Sequence, residues 1–232
     1  MRLQLNDIRK SFGSGENRTE ALRGVSCEIL PGSITILLGP SGSGKSTLLN
    51  IIGGIETPDS GSILVDGQPL TDLDDRRLTR YRREHLGYVF QAYHLVPNLT
   101  VRENIEVGAY LSSHPLDTDE LLRVLGLWEH RDKLPNQLSG GQQQRTAIGR
   151  AIVKVPDLLL CDEPTGALDY NTSKEILQLI EDVNLRYGCT VLLVTHNAAL
   201  CTMADRVLRL RDGVIVRDER HDMRVHASQL SW

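Results

Sequence analysis

The feature that most constrains the fold is a glycine-rich stretch between two apolar segments. An apolar run, Ile34–Leu38, comes directly before it, and residues 48–52 after it have the composition of a buried helix. This order predicts a buried strand, a phosphate-binding loop and a helix. The residues of the loop are Gly39, Pro40, Ser41, Gly42, Ser43, Gly44, Lys45, Ser46 and Thr47.

A loop with this spacing has the chemistry to bind a phosphate chain. Gly39, Gly42 and Gly44 let backbone N–H groups approach an anion closely and permit positive φ. We expect Lys45 to reach the β- and γ-phosphates and the Ser46 hydroxyl to ligate Mg²⁺, while the positive end of the helix faces the same charge. The alternative is a turn that binds nothing, and the complete G-x-x-x-x-G-K-S spacing favours a nucleotide site.

The composition narrows the class of protein. A chain of 232 residues suffices for one domain, with or without a subdomain, but not for two nucleotide-binding domains. Lys and Arg number 26 against 30 Asp and Glu, and aromatic residues make up 4%, so the totals favour no nucleic-acid partner. Four scattered cysteines predict reduced thiols. Because no signal peptide or apolar run of ~18 residues is visible, we expect a cytoplasmic protein that reaches a membrane only through a partner.

Two carboxylates follow a second apolar run. Residues 158–160 are leucines, and Asp162 and Glu163 come after them. Parallel α/β sheets place ligands at the carboxyl ends of their strands, so we expect Asp162 to hold Mg²⁺ and Glu163 to orient and deprotonate the attacking water. The alternative, a helix N-cap, is less consistent with the presence of the phosphate loop.

Three further side chains are candidates for the same site. Gln91 and His196 each follow a short apolar strand, at positions suited to ligate the metal and to hydrogen-bond the γ-phosphate, respectively. Phe12 precedes the phosphate loop, and two interpretations remain open for it: a ring that stacks on adenine, or an ordinary core aromatic. A lone histidine is more often structural, and its place beside the phosphate edge favours function here.

The remaining pattern predicts an α/β core that carries a helical insertion. Residues 3–12 and 21–29 predict one hairpin, and residues 205–216 a closing one. Three helical segments without an alternating strand pattern lie between Thr100, which begins a capping box, and Lys154. We expect a single domain made of a core at about residues 1–91 and 156–218, a helical subdomain at about 92–155, and a C-terminal tail at 219–232 without an assigned role.

A basic segment has two possible roles. Residues 74–84 predict a helix whose arginines spread over more than one face. Either the helix is simply solvated, or it contacts an acidic partner or anionic lipid headgroups.

A short motif between the two halves of the core identifies a family. Residues 138–142 read Leu-Ser-Gly-Gly-Gln, after the phosphate loop and before the acidic pair. This order resembles the ATP-binding-cassette (ABC) transporter ATPases over nearly the whole chain. The resemblance implies a P-loop NTPase fold with a RecA-like core, an antiparallel β subdomain and an inserted α-helical subdomain. It also implies ATP and Mg²⁺ as cofactors and ATP hydrolysis as the activity.

The resemblance further implies a homodimer that forms with ATP. Two chains of the family pack head to tail, so the signature residues Ser139, Gly140, Gly141 and Gln142 of one chain would grip the γ-phosphate bound to Lys45 of the other. Residues 167–169 match the dimer-contact loop of the family, in which Asp169 would report the state of one site to the other. Gln91 and the loop after it would signal to a membrane partner.

The match is similar in detail to the lipoprotein-release and macrolide-export branch, the LolD/MacB-like group. Residues 89–91, 95–104, 137–145 and 163–169 carry this likeness. It implies an integral membrane permease with few membrane helices and a large extracytoplasmic domain, with the ATPase on the inner face of the membrane. A regulatory ATPase that signals to cell-wall or division machinery is the alternative. A nucleic-acid ATPase and a guanine switch protein fit less well, because no basic surface or Asn-Lys-x-Asp stretch is visible.

Overall fold

The computed structural model describes residues 1–231, with only the backbone of Glu16; Trp232, the last residue of the expected tail, lies outside the described residues. The described residues form two sheets and six α-helices. In the part of the chain that is described, no helix combines the length and apolarity needed to cross a membrane. All four cysteines lie within it and are free, as predicted.

The first sheet is antiparallel and has the strand order β2-β1-β4-β5. The predicted hairpin is confirmed, with Leu3 paired to Ile29 and Phe12 paired to Thr19. Its second strand begins at Thr19, two residues earlier than expected, because pairing continues past the apolar residues. The strands are β1 (Leu3–Phe12), β2 (Thr19–Ile29), β4 (Ser60–Val65) and β5 (Gln68–Pro69).

The second sheet forms the centre of the molecule, in the order β10-β9-β3-β8-β7-β6. The five strands from β9 to β6 are parallel, and only β10 is antiparallel to its neighbour. Their carboxyl ends therefore lie at one edge, where α/β sheets bind ligands. The strands are β3 (Ile34–Leu38), β6 (Leu86–Val89), β7 (Leu158–Asp162), β8 (Thr190–Thr195), β9 (Arg206–Arg211) and β10 (Val214–Arg220).

Hydrophobic cores cover both faces of this parallel sheet, which explains why its strands are almost uniformly apolar. Alternate residues of β8 enter different cores: Leu193 packs in the core on the side of the helical insertion, and Leu192 in the core beside the antiparallel sheet. The helices are α1 (Lys45–Ile52), α2 (Asp75–His85), α3 (Val101–Ala109), α4 (Thr118–Val124), α5 (Gly140–Ile152) and α6 (Tyr170–Tyr187).

Among the described residues, a polar side chain caps the start of every α-helix except α1, whose N-cap is Gly44. The predicted capping box is confirmed: the Thr100 hydroxyl accepts from the Glu103 N–H, and the Glu103 carboxylate accepts from the Thr100 N–H. Helices α3, α4 and α5 all lie between β6 and β7, as expected for a helical insertion. The basic helix α2 buries only Tyr81 among its described residues.

The last segment packs against α6 instead of extending away. Strand β10 continues to Arg220, two residues beyond the core limit expected at 218, because Arg220 still pairs with Arg206. A 3₁₀ turn, Ala227–Gln229, then docks its first N–H on the buried carboxylate of Glu181 at 3.0 Å. The Tyr170 hydroxyl donates to the Leu230 carbonyl at 3.2 Å, so the tail is tied to the start of α6.

Candidate functional site

The phosphate loop forms the floor of an open cleft of about 680 Å³ at the carboxyl edge of the parallel sheet. Most of the cleft candidates from the sequence line it together, although they come from five different parts of the chain; Gly39, Ser43 and Asp162 are not among the lining residues. The lining residues are Phe12, Thr19, Glu20, Ala21, Pro40, Ser41, Gly42, Gly44, Lys45, Ser46, Thr47, Gln91, Glu163 and His196.

Backbone constraints explain the glycines of the loop. Gly42 and Gly44 have φ values of 78° and 100°, in the region that side chains disfavour. A Cβ on Gly44 would lie 2.4 Å from the Ala21 carbonyl oxygen, and one on Gly39 would lie 2.2 Å from the Leu210 carbonyl oxygen. Any side chain at Gly39 or Gly44 would therefore require the neighbouring backbone to move.

Lys45 is folded over its own loop. Its ammonium donates to the Gly39 carbonyl at 2.8 Å and to the Pro40 carbonyl at 2.9 Å, and the residue is 7% exposed. A phosphate in the loop offers stronger, charged acceptors than these neutral carbonyls. The cation is thus held at the mouth of the loop without a carboxylate partner in the part of the chain described.

Ser46 lines the cleft and contacts Asp162, which is not itself among the lining residues. The Ser46 hydroxyl donates to Asp162 Oδ1 at 3.2 Å. Burial raises the pKa of Asp162, while the Ser46 hydrogen bond lowers it, the Glu163 charge raises it and the Lys45 charge lowers it. A hard divalent cation takes oxygen ligands of this kind. Gln91 lines the same cleft, and its Nε2 would lie 3.2 Å from a Cβ on Gly166.

Glu163 and His196 are in direct contact. Glu163 Oε1 lies 2.9 Å from His196 Nδ1, and the Glu163 side chain is only 14% exposed. The Glu163 backbone has φ 45°, and its N–H donates to the Val194 carbonyl at 3.0 Å. A left-handed non-glycine residue at a site of this kind is held there by its surroundings. The backbone therefore turns sharply after β7, and the Glu163 carboxylate lines the cleft.

The signature residues lie on another surface. Among the described residues, Ser139, Gly140, Gly141 and Gln142 are not part of the cleft lining. Ser139 caps α5: its hydroxyl accepts from the Gln142 N–H at 3.3 Å, and Gln142 Oε1 accepts from the Ser139 N–H at 2.9 Å. A Cβ on Gly141 would lie 2.4 Å from Thr172 Cγ2, which explains the glycine.

Asp169 begins helix α6. Its carboxylate accepts from the Thr172 N–H at 3.0 Å and from the Thr172 hydroxyl at 2.6 Å. These hydrogen bonds lower the pKa of Asp169. Within one chain the residue is therefore a helix cap, and its expected contact with a second chain stays a prediction.

The structure excludes one of the two interpretations of Phe12. The side chain is 45% exposed and lines the cleft, so it is not a core aromatic. Lys10 Nζ lies 5.4 Å from the centre of the ring. Stacking on adenine stays a prediction.

Sequence reasoning missed two connections that support the site. Gln144, fully buried in α5, donates from Nε2 to the Pro164 carbonyl at 2.7 Å and so holds the turn after Glu163. Arg150 donates to the carbonyls of Tyr93 and His94, at 2.9 and 2.6 Å, in the loop after Gln91. Both carbonyl acceptors of Arg150 belong to residues with positive φ. Nothing in the run of three glutamines distinguishes Gln144 from its neighbours.

Comparison with known proteins shows which family this chain is similar to. The ABC transporter family model matches residues 22–166. A putative ABC transporter ATP-binding protein, the MG065 homolog of Mycoplasma pneumoniae, is 42% identical over 99% of this chain and 50% of its own length. The macrolide export ATP-binding/permease protein MacB of Shigella flexneri is 44% identical over 93% of this chain and 34% of its own length.

Solved structures agree with these relatives. The dimeric post-hydrolysis structure of the ATP-binding cassette MJ0796 bound to ADP and Pi is 39% identical, with a TM-score of 0.86. The match covers 94% of this chain and 98% of that one. By contrast, the chain spans only about half or about a third of the length of the curated relatives above.

The partly buried Asp162 makes a prediction about pH. Its raised pKa means that the folded protein binds this proton more tightly than the unfolded chain, so ionisation of Asp162 lowers stability as pH rises through that pKa. We expect Asp162→Asn to raise Tm at pH 7, in EDTA and without nucleotide, by roughly 1–3 °C, since solvent screens part of the cost.

The gain is expected to vanish on acidification below the ordinary pKa of an aspartate, where the carboxyl is neutral in both the folded and the unfolded protein. Calorimetry from pH 3 to 8 measures it, and Asp72→Asn, at an exposed position, controls for the loss of one negative charge. An Asp162→Asn protein less stable than the parent at pH 7 contradicts the assignment.

Proposed function

The chain belongs to the ABC transporter family, and we propose that its cleft hydrolyses ATP with Mg²⁺ to power a membrane permease. One observation carries this proposal: the contact between Glu163 and His196 stands in the same cleft as Lys45 and Ser46 of the phosphate loop. A carboxylate base, a histidine that orients it and a phosphate cradle are the parts that hydrolysis of a phosphoanhydride needs.

We assign the binding steps to the loop and to Phe12. Backbone N–H groups of residues 41–46 and the partial positive charge at the start of α1 hold the phosphates. Lys45 exchanges its two carbonyl acceptors for phosphate oxygens, and the exposed Phe12 ring stacks on adenine. Base–aromatic stacking contributes roughly 1–3 kcal/mol.

We assign the metal to oxygen ligands beside the phosphate loop. Ser46, Asp162 and the amide oxygen of Gln91 would hold Mg²⁺. The residues fit this ion because their donors are oxygens and because burial has already raised the cost of the Asp162 charge. When bound, Mg²⁺ neutralises the charge that develops between the β- and γ-phosphates.

We assign the chemistry to Glu163 and His196. The Glu163 carboxylate accepts a hydrogen bond from the attacking water and takes its proton as the water oxygen bonds to the γ-phosphorus. The bond from that phosphorus to the β–γ bridging oxygen breaks in the same step, and ADP leaves. His196 holds that carboxylate through Nδ1 and presents the rest of its ring to the open cleft, where the γ-phosphate would lie. Both groups act mainly by position and charge.

We propose that a second copy completes the site. Ser139, Gly140, Gly141 and Gln142 form the N-terminus of a 13-residue helix and lie outside the cleft of their own chain. Helix N-termini bind anions, so in a head-to-tail dimer these residues would receive the γ-phosphate held by the partner. Asp169 would lie at the same dimer contact. The MJ0796 structures to which the chain is similar are titled as dimeric.

We propose that the permease has few membrane helices and a large extracytoplasmic domain, and that the cassette works on the inner face of the membrane. The likeness to proteins named ATP-binding/permease supports this. The permease is either a further part of the same polypeptide or a separate chain.

Removal of the proposed base gives a direct test of the chemistry. Glu163→Gln is expected to lower the turnover number for ATP by about 10²–10⁴-fold, the usual contribution of a positioned base. Binding of ATP, measured by calorimetry, stays within about threefold because the amide keeps the shape of the side chain. Glu84→Gln on the exposed α2 is the matched control and keeps full activity. Hydrolysis of ATP by Glu163→Gln at the rate of the unmodified protein would contradict the assignment of Glu163 as the base.

Capture from native membranes tests the partner. Tagged Glu163→Gln with ATP and Mg²⁺ is expected to recover an integral membrane permease from detergent extracts. The permease is either a bound chain or a further part of the tagged polypeptide. Lys45→Ala is the control for loss of nucleotide binding. Recovery of soluble proteins alone, with and without ATP, contradicts the role in transport. Recovery of cell-wall or division proteins supports the signalling alternative instead.

A further inference from the structure

A histidine outside the cleft contacts the glutamine of the signature motif. His130 ends a 3₁₀ turn, Trp128–His130, that precedes α5 in the chain. Its Nε2 lies 2.9 Å from Nε2 of Gln142. None of the sequence motifs points to this residue, which stands eight or more positions before the Leu-Ser-Gly-Gly-Gln stretch.

The orientation of the Gln142 amide follows from its other contact. Gln142 Oε1 accepts the Ser139 N–H at 2.9 Å, so the NH₂ end of the amide must face His130. A flipped amide would point its N–H groups at the Ser139 N–H, which can only donate. His130 Nε2 is therefore the hydrogen-bond acceptor, and the neutral ring carries its proton on Nδ1.

The rest of the ring has no comparable contact. His130 Nδ1 is buried and has no hydrogen-bond partner among the described residues, which carries a free-energy cost. The Nε2 contact with Gln142 is thus the polar interaction that fixes the ring. A histidine kept here for general packing would not need its acceptor nitrogen aimed at the motif.

The turn that carries His130 is itself anchored. The guanidinium groups of Arg123 and Arg131 stack on Trp128, at 4.1 and 4.4 Å from the ring centre, and Arg131 donates to the Trp128 carbonyl at 2.8 Å. The Arg131 carbonyl accepts the Arg102 N–H at the start of α3, at 3.0 Å. His130 therefore lies in a turn that is held by contacts with α3 and α4 of the helical insertion.

We propose that His130 is a positioning residue for the anion site that a second copy of this chain uses. It holds the Gln142 amide, and the amide holds the reciprocal cap with Ser139. In that cap the Ser139 Oγ already accepts the Gln142 N–H, which leaves the hydroxyl proton to donate to a phosphate oxygen. This inference rests on the proposed function, because it concerns the γ-phosphate of the nucleotide bound by the partner.

The physical gain is preorganisation of the motif before the two chains meet. An exposed Ser139 and a half-buried Gln142 without a fixed partner would sample several rotamers, and dimerisation would have to restrict them. With the His130 contact the donors are already arranged, so the expected effect is on dimer affinity and not on binding of ATP to one chain.

Two isosteric amides separate this role from packing. The amide oxygen of Gln reaches the position of the imidazole Nε2, and that of Asn reaches only the position of Nδ1. In a Glu163→Gln background with ATP and Mg²⁺, His130→Gln is expected to keep the dimer dissociation constant within about threefold. His130→Asn and His130→Ala are expected to raise it about fivefold or more, since each dimer loses the contact at two sites.

Sedimentation equilibrium measures the dissociation constants, and calorimetry at protein concentrations below dimerisation measures ATP binding, which is expected to stay unchanged. With the native Glu163 restored, the protein concentration needed for half-maximal ATPase activity is expected to rise in His130→Asn while the plateau rate is kept. Thermal unfolding confirms that the variants are folded.

Each outcome decides the inference. Dimers of His130→Asn and His130→Ala as tight as the parent overturn it and leave the proposed function intact. A weak His130→Gln dimer also overturns it, because the acceptor position would then not matter. A Glu163→Gln parent that stays monomeric with ATP overturns the proposed function itself, and the role of His130 with it.

Discussion

The backbone pairing of four parallel strands is the interaction on which the rest of the structure depends. Leu38 pairs with Thr195, Val194 pairs with Asp162, and Val89 pairs with Cys161, so the four strands end at one level of the sheet. The phosphate loop, Gln91, the acidic pair and His196 all leave the sheet within one or two residues of that level. A shift of one residue in the register of any strand pair would point a side chain of the candidate site into the core and a core side chain into the cleft. Burial of apolar residues on both faces of the sheet prevents such a slip.

The cleft is electrostatically unbalanced until a ligand enters. Lys45 rests on neutral carbonyls, and burial raises the pKa of Asp162 beside it. In the proposed function, a phosphate would give the cation charged acceptors and a divalent metal would ligate the carboxylate, so binding would offset the free-energy cost of burying these two groups. The cap of Ser139 and Gln142 extends the same logic to a second surface. Its donors are arranged by contacts within one chain, yet they face away from the cleft of that chain.

The sequence was informative wherever the chemistry is local. The glycine loop, the capping box at Thr100 and the strand before Asp162 all follow from residues close together in the chain, and the structure has these elements within three residues of the expected limits. The family match and the 0.86 TM-score confirm the fold class. The contacts of Gln144 with Pro164, of Arg150 with the loop after Gln91 and of the tail with Glu181 could not be predicted. They join residues 20 or more positions apart, and only tertiary packing brings them together.

The central claim is that one chain holds only part of the site and a second copy supplies the rest. The most direct measurement is the molar mass of Glu163→Gln in solution, by light scattering coupled to gel filtration, with ATP and Mg²⁺, with ADP, and without nucleotide. The account predicts twice the mass of the 25.9 kDa chain only in the sample with ATP and Mg²⁺, and the mass of one chain with ADP and without nucleotide. It also predicts that Ser139→Arg added to Glu163→Gln abolishes the dimer while the monomer still binds ATP. A single mass in every condition, or a dimer that ignores both ATP and Ser139→Arg, would contradict it.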